Sequence, residues 1–169
     1  MSAAEQGAPT DLDPAARKAV LRQLTYGLYA VTLAADGAVH AFTANWLTQV
    51  SFDPPMVAVS VENDSRSIGM LRASGVFAVN VYDAADRELA GRLGKRSRTL
   101  PDKLAGVPYR LAANGCPILL AALGVLECRV TGSLPAGDST LFVGEVVRAE
   151  VLREGTPLTM NAAGFRHSG

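Results

Sequence analysis

The chain has 169 residues, 49% of them hydrophobic, which suits one domain around one core. Sixteen Lys and Arg balance sixteen Asp and Glu, and that neutrality argues against a general nucleic-acid binder, which needs a basic excess to neutralise phosphates. No apolar run approaches the roughly 20 residues of a membrane helix, and the small, acidic start "MSAAEQGAPTDLD" is not a signal peptide, so a soluble, cytoplasmic protein without membrane contact is expected.

Residues 1–12 read as a disordered arm and 13–169 as a single domain. Asp13 caps a helix with Pro14 at its first position, and Val20, Leu21 and Leu24 give it one apolar stripe. From Tyr26 the pattern becomes strand: "YGLYAVTLA", a turn at Asp36-Gly37, then "VHAFTANW". Asp-Gly between two β-rich runs is a strong hairpin signal. A third strand, about Leu47 to Phe52, stops at Asp53-Pro54-Pro55, and a fourth, "MVAVSV", is apolar enough to be buried on both faces. A polar loop, "ENDSRS", leads to a helix, "IGMLRAS", ended by Gly75. "VFAVNV" is a fifth strand, and Asp83 caps a helix over "AADRELAGRL", with Asp86 favouring its N-terminus. "GKRSRTLPDKLAG" is basic and irregular, with one helical turn expected at "PDKL". Two more strands, "GVLECRVTGSL" and "TLFVGEVVRAEVL", flank a turn at Ala136-Gly137-Asp138, and the tail "PLTMNAAGFRHSG" has no clear period.

Many strands with few short helices argue against a doubly wound sheet and for a closed or partly closed antiparallel barrel with peripheral helices. GxGxxG, GxxxxGK[ST] and GxSxG are absent. Cys116 and Cys128 form neither a disulfide framework nor a metal pattern and are expected as reduced thiols. His40, in a strand, and His167, near the C-terminus, have no ligand partners at metal spacing and read as surface or tail residues.

Two stretches carry chemistry. In "TANWLTQVSFDPP", Thr43, Asn45, the single tryptophan Trp46, and Ser51 offer hydroxyl, amide and indole donors along a strand edge. That set suits a flat, hydrogen-bonding heteroaromatic ligand. It equally suits a strand end whose Trp46 covers the core while polar neighbours face water. In "NDSRS", Ser65, Arg66 and Ser67 bring hydroxyls, a guanidinium and helix N-terminal amides, the groups that hold a phosphate. An ordinary helix cap with a solvated arginine accounts for them too. Because Asp53-Pro54-Pro55 joins the two strands that bear these stretches, their far ends can share one side of the barrel. One stretch would then read a ring and the other a phosphate, as in a flavin mononucleotide site.

The sequence resembles the flavin reductase-like proteins with the FMN-binding split-barrel fold, from about Leu21 to the C-terminus. The resemblance rests on "TANWLTQVSFDPPMVAVSV", "NDSRS", "GVFAVNV", "GCPILLAALGVLECRV", "GDSTLFVGEV" and "PLTMNAAGF" in this order. It implies a mainly β, Greek-key split β-barrel, a homodimer, a bound FMN or FAD, and its reduction by NADH or NADPH, often to supply a partner monooxygenase. It further implies that Thr43, Ala44, Asn45 and Trp46 contact the flavin ring and ribityl chain, with Ser51 and Ser60 flanking them. Ser65, Arg66 and Ser67 match the phosphate-binding turn, and Lys95, Arg96 and Lys103 fall in a basic loop over the phosphate. The family frequently reads Gly-Asp-His in the last turn, on the nicotinamide side. Here the turn is Gly137-Asp138-Ser139, which puts rapid nicotinamide use in question. A non-enzymatic flavin binder, or a binder of another planar cofactor on the same barrel, is the alternative reading.

Overall fold

The computed structural model describes residues 12–166. The expected disordered arm, apart from Leu12, and His167 lie outside the described residues. Helix α1 (Pro14–Leu21) begins where Asp13 accepts a bond from the Ala15 amide at 2.9 Å. Its stripe does not reach the core, since Val20, Leu21 and the following Leu24 all stay exposed. Strands β1 (Tyr29–Ala35) and β2 (Ala38–Ala44) meet at Asp36-Gly37, where φ is +51° and +76°. Two consecutive left-handed residues make the tight turn whose twist matches a hairpin. β3 (Leu47–Phe52) and β4 (Pro55–Glu62) follow, then α2 (Arg66–Ser74), which ends at Gly75 in the left-handed region. Next come β5 (Val76–Val81), α3 (Arg87–Leu93), the short hairpin β6 (Tyr109–Leu111) and β7 (Pro117–Leu119), the long strands β8 (Gly124–Ala136) and β9 (Ser139–Val151), and α4 (Met160–Ala163).

Seven strands form one antiparallel sheet in the order β2-β1-β5-β8-β9-β4-β3. The two edge strands, β2 and β3, are neighbours in the chain, joined only by Asn45 and Trp46. The sheet must therefore curl until its edges approach at that corner. No ladder joins β2 to β3 among the described residues, so the barrel stays split there. The backbone N–H of Ser60 on β4 donates to the Trp46 carbonyl at 3.0 Å and ties the corner down.

Alternation along the strands sorts side chains into two cores. Val31 and Leu33 of β1, Val57, Val59 and Val61 of β4, and Phe77 and Val79 of β5 fill the barrel, capped by Ile68 and Leu71 of α2. On the other face of β1 and β5 lies a second layer, in which Ala30, Ala41 and Tyr82 pack against Ala90 and Leu93 of α3, Leu104, Leu119 and Leu158. The fourth strand is buried on both faces at its centre, as its composition implied.

Several details differ from the sequence reading. Asn45 and Trp46 form a bend beyond β2 rather than part of a strand. Pro55 opens β4 instead of ending β3. Helix α3 starts at Arg87, because Asp83 and Asp86 hold residues 83–86 as a turn: Asp83 N–H donates to Asp86 Oδ2 and Ala85 N–H to Asp83 Oδ1, each at 2.9 Å. "PDKL" is a turn and not a helical one, β6 and β7 were not anticipated, and the tail carries α4. His40 is not a surface residue: it is buried on β2. No helix of the described residues is long and apolar enough to cross a membrane.

Candidate functional site

At the corner between the sheet edges, a cleft of about 480 Å³ opens between the Ala44–Trp46 bend, the end of β4, the first turn of α2 and the turn after α3. The fold holds these pieces in place. Asn63, after β4, donates from its backbone N–H to Asp138 O (2.9 Å) and accepts from the Thr140 hydroxyl at its Oδ1 (2.7 Å). The β8–β9 turn thereby fixes the loop that leads into α2. On the other wall, the Arg92 guanidinium donates to the carbonyls of Lys103 and Ala105, which folds the basic segment back onto α3.

Eleven of the residues singled out from the sequence line this one cleft: Thr43, Ala44, Asn45 and Trp46 at the corner, Ser60 on β4, Ser65, Arg66 and Ser67 at the start of α2, and Lys95, Arg96 and Lys103. Ser51 does not line it, because it sits beyond a register shift in β3, opposite Met56. Ser139 does not line it either. It is buried, paired in register with Glu62, and its hydroxyl donates to Asp138 Oδ1 at 3.1 Å. The eleven lining residues are joined by Arg98 and by the carboxylates Glu62 and Asp64, which sequence reasoning had not singled out. The signal for them was present: Asp64 and Arg98 lie inside the quoted "NDSRS" and "GKRSRTLPDKLAG" segments.

The polar groups divide into engaged and available ones. The Thr43 hydroxyl donates to Ala90 O (2.7 Å), and its single proton being used there, the Tyr82 hydroxyl donates to it at 2.8 Å. Thr43 thus locks α3 to β2, leaving only its backbone and methyl for a ligand. The Ser65 hydroxyl donates to Glu62 O at 2.7 Å and gives the helix no side-chain cap. The first N–H groups of the nine-residue α2 therefore remain available to an anion. The Asn45 amide nitrogen is buried without a partner among the described residues. A buried donor in that condition costs free energy unless a ligand accepts from it.

A buried amide donor and a partly exposed indole, with the first amides of α2, Arg66 and Lys103 in the same cleft, fit a planar ring joined to a phosphate. The model of the flavin reductase like domain family matches residues 21–169. The chain belongs to that family. Other flavin reductase-like proteins agree in sequence and in shape. The ferric-chelate reductase (NAD(P)H) of Archaeoglobus fulgidus is 34% identical over 81% of this chain and 82% of its own length. The flavin-dependent monooxygenase reductase subunit HsaB of Rhodococcus jostii is 31% identical over 87% of this chain and 74% of its own. BorF, the flavin reductase component of a bacterial two-component tryptophan halogenase, superposes with a TM-score of 0.79 at 31% identity, covering 89% of this chain and 95% of that one. Some relatives are longer: the chain spans 62% of the high molecular weight rubredoxin of Moorella thermoacetica.

Two buried titratable groups shape the electrostatics of this flavin reductase-like cleft. Lys103 is only 5% exposed, its Nζ donates to Leu93 O at 3.0 Å, and burial lowers its pKa to about 8. His40 does not line the cleft and is held neutral, its pKa lowered to about 4 by burial first and then by the Lys103 and Arg66 charges. Lys103 and Arg66 both line the cleft. A bound phosphate would stabilise protonated Lys103, so the complex holds that proton to higher pH than the free protein. FMN affinity is accordingly expected to stay level up to about pH 8 and then to fall roughly ten-fold by about pH 9.5. Titrations across this range check it, and Lys103→Gln should flatten the profile.

Proposed function

We propose that this chain is an NAD(P)H-dependent flavin reductase that binds FMN or FAD and passes reduced flavin to a partner flavin-dependent monooxygenase. The observation that supports it most is the single cleft uniting the buried, unpartnered Asn45 amide with the anion-holding groups at Ser65–Ser67, Arg66 and Lys103. A bound flavin supplies its own two-electron chemistry, and the protein supplies orientation and electrostatics. Asn45 would donate to the ring and orient it, Trp46 would cover it from water, and Ala44 and Ser60 would border the ribityl chain. Arg66, Lys103 and the start of α2 would hold the phosphate. A second cleft of about 310 Å³ shares Thr43, Asn45 and Gly94 with the first and is walled by Met160, Phe165 and Arg166. It gives a co-substrate room beside the first ligand.

Purified protein tests the reading directly. Its flavin is extracted and identified, and the holoprotein is titrated anaerobically with NADH and NADPH. Bleaching of the yellow colour supports the reductase. A yellow protein that neither nucleotide bleaches supports the flavin binder, and protein that takes up no added FMN overturns both.

Ser139 favours the second reading, since the family's frequent histidine is absent from that turn. Ser139 is buried and lines neither cleft, so a histidine there adds its one net hydrogen bond to the nicotinamide only by turning outward; on that arrangement we expect Ser139→His to raise kcat/KM for NADH by up to roughly ten-fold. Unchanged kinetics would move the nicotinamide to the second cleft.

The assembly belongs to the same proposal. Val50 and Phe52 on the edge strand β3, Leu134 on β8 and Val147 on β9 are exposed, Phe52 at 90%. Beyond Val130, β8 pairs with β9 alone and leaves an open edge. Open edges with apolar side chains are covered in stable proteins, and a second copy of this chain is the cover proposed. Light scattering at micromolar concentration should give the dimer mass, and a stable monomer would count against it. Buried, reduced Cys116 and Cys128, whose thiol pKa values burial pushes up to about 12, suit the cytoplasmic setting proposed for it.

A further inference from the structure

One wall of the second cleft is built from the last described residues, and its outermost piece, Phe165, is held by side chains of α3. Helix α4 is a single turn, opened by the Thr159 hydroxyl, which accepts from the Ala162 N–H at 3.2 Å, and stopped by Gly164 at φ +69°. Its start is anchored, since Met160 N–H donates to Tyr26 O at 3.0 Å and Ala163 is buried. Beyond Ala163 the backbone bonds are local, from Gly164 N–H to Asn161 O and from Phe165 N–H to Met160 O. They shape the turn without tying it to the barrel. Arg87, at the start of α3, supplies that tie: its Nε donates to Ala163 O, and its guanidinium lies 5.9 Å from the centre of the Phe165 ring.

Gly91, one helical turn after Arg87, completes the seat. Its backbone is ordinary helix, so no left-handed conformation calls for glycine, and glycine inside a helix weakens it relative to alanine. A Cβ built there would meet the tip of the Phe165 ring at 3.5 Å. An alanine would just touch the ring, and a longer side chain would displace it. The bare position is explained by the ring that rests there. Arg87 forms no ion pair among the described residues, so its charge is free to face that ring. Phe165 is the one aromatic residue among the described residues lining this cleft, beside Leu28, Met160 and the small residues of α3. A planar ligand entering the cleft finds in it the one ring to pack against.

We infer that Phe165 is a specificity-determining wall for the co-substrate and that Arg87 is the positioning residue that holds it on Gly91, so that the C-terminal turn latches the second cleft. The inference rests on the reductase reading above, in which this cleft receives the co-substrate. Arg87 lines neither cleft, so its influence on a ligand must pass through Phe165 and the turn that carries it. FMN is the internal control. Phe165 lines the second cleft and not the first, whereas Thr43, Asn45 and Gly94 line both. Damage that spread from the latch into the fold would therefore appear in FMN affinity as well.

The experiment uses the full chain loaded with FMN. Kd for NAD+ and NADP+, which needs no turnover, and kcat and KM for NADH and NADPH are measured for the native protein, Phe165→Ala, Arg87→Met, Arg87→Lys and the Phe165→Ala/Arg87→Met double variant. Phe165→Ala should raise KM and Kd for the accepted nucleotide about three- to ten-fold, the worth of one aromatic contact, while kcat and FMN affinity stay within about two-fold. Arg87→Met should raise them about two- to five-fold, the worth of an exposed cation–ring contact, and Arg87→Lys, which keeps the charge, should recover part of that. The double variant decides the matter: it should match Phe165→Ala, because without the ring Arg87 has nothing to position. The inference is overturned if the two single losses add, or if Phe165→Ala leaves nucleotide binding unmoved. It is overturned equally if FMN affinity and Tm fall in step with nucleotide affinity, the mark of a merely structural role. Native protein that binds FMN but neither nucleotide would sink the reductase reading and the inference with it, a result told apart because the native chain itself then fails.

Discussion

Arg66→Ala is expected to weaken FMN by about ten- to a hundred-fold while leaving riboflavin nearly untouched. Arg66 lies in the first turn of α2, at the anion end of the cleft, and forms no ion pair among the described residues. Its charge is therefore available to a ligand rather than committed to the fold. A hydrogen bond to a charged group contributes about 1.5–3 kcal/mol, which converts to that range of affinity. Riboflavin has the same ring and lacks only the phosphate, so it serves as the internal control. Trp46 lines the cleft and is the only tryptophan, so its emission follows both titrations without a label. Equal losses for the two ligands would mean that Arg66 acts through the helix and not through the phosphate. Emission unchanged at saturating ligand would remove Trp46 from the site.

Much of this arrangement was legible in the sequence wherever the cause is local. Asp36-Gly37 and Gly75 need left-handed backbone, and the residue types that tolerate it stand there. The stretches around Asn45 and Ser65 were legible because each offers donors in excess of what its own element can use. What escaped depends on partners far along the chain. Thr43 looks like a ligand contact until Tyr82 and Ala90, some forty residues later, engage its hydroxyl. His40 reads as a surface residue on a strand, and only packing of the basic segment and α2 around β2 buries it. Lys103 reads only as part of a basic, irregular loop, and its burial depends on Arg92 holding the Lys103 and Ala105 carbonyls. The hairpin of β6 and β7 has three residues per strand and a proline in one, too short for any alternation to show.

That short hairpin is held by a residue the sequence did not mark, and it sets the largest stability loss expected here. Asn80, on β5, is fully buried, and its amide makes four bonds. Nδ2 donates to Ala30 O, to Thr32 Oγ1 and to Pro117 O, at 3.4, 3.2 and 3.3 Å, while Oδ1 accepts from the Leu119 N–H at 2.8 Å. The Thr32 hydroxyl adds its own bond to Pro117 O at 2.7 Å. β7 is thereby bonded to the outer face of β1 and β5 through side chains, where no ladder joins them. In Asn80→Ala the Leu119 N–H loses Oδ1 as its acceptor in a site closed to water, and a cavity replaces the amide. Leaving such a group unsatisfied costs about 1–3 kcal/mol, and the lost packing adds to it, for roughly 3 kcal/mol in all. For a domain of this size that corresponds to a fall in Tm of about 6–12 °C. The consequence should reach the cleft. Leu119 packs in the same layer as Leu93 and Leu104, which flank the turn carrying Lys95 to Lys103. A ligand that orders that turn should therefore recover part of the loss by mass action, and FMN should raise the Tm of Asn80→Ala by no less than it raises that of the native protein. Differential scanning calorimetry with and without FMN measures both quantities. A Tm within about 2 °C of the native value would mean that the Asn80 bonds are replaced by water, and that β7 is held by its apolar side chains alone.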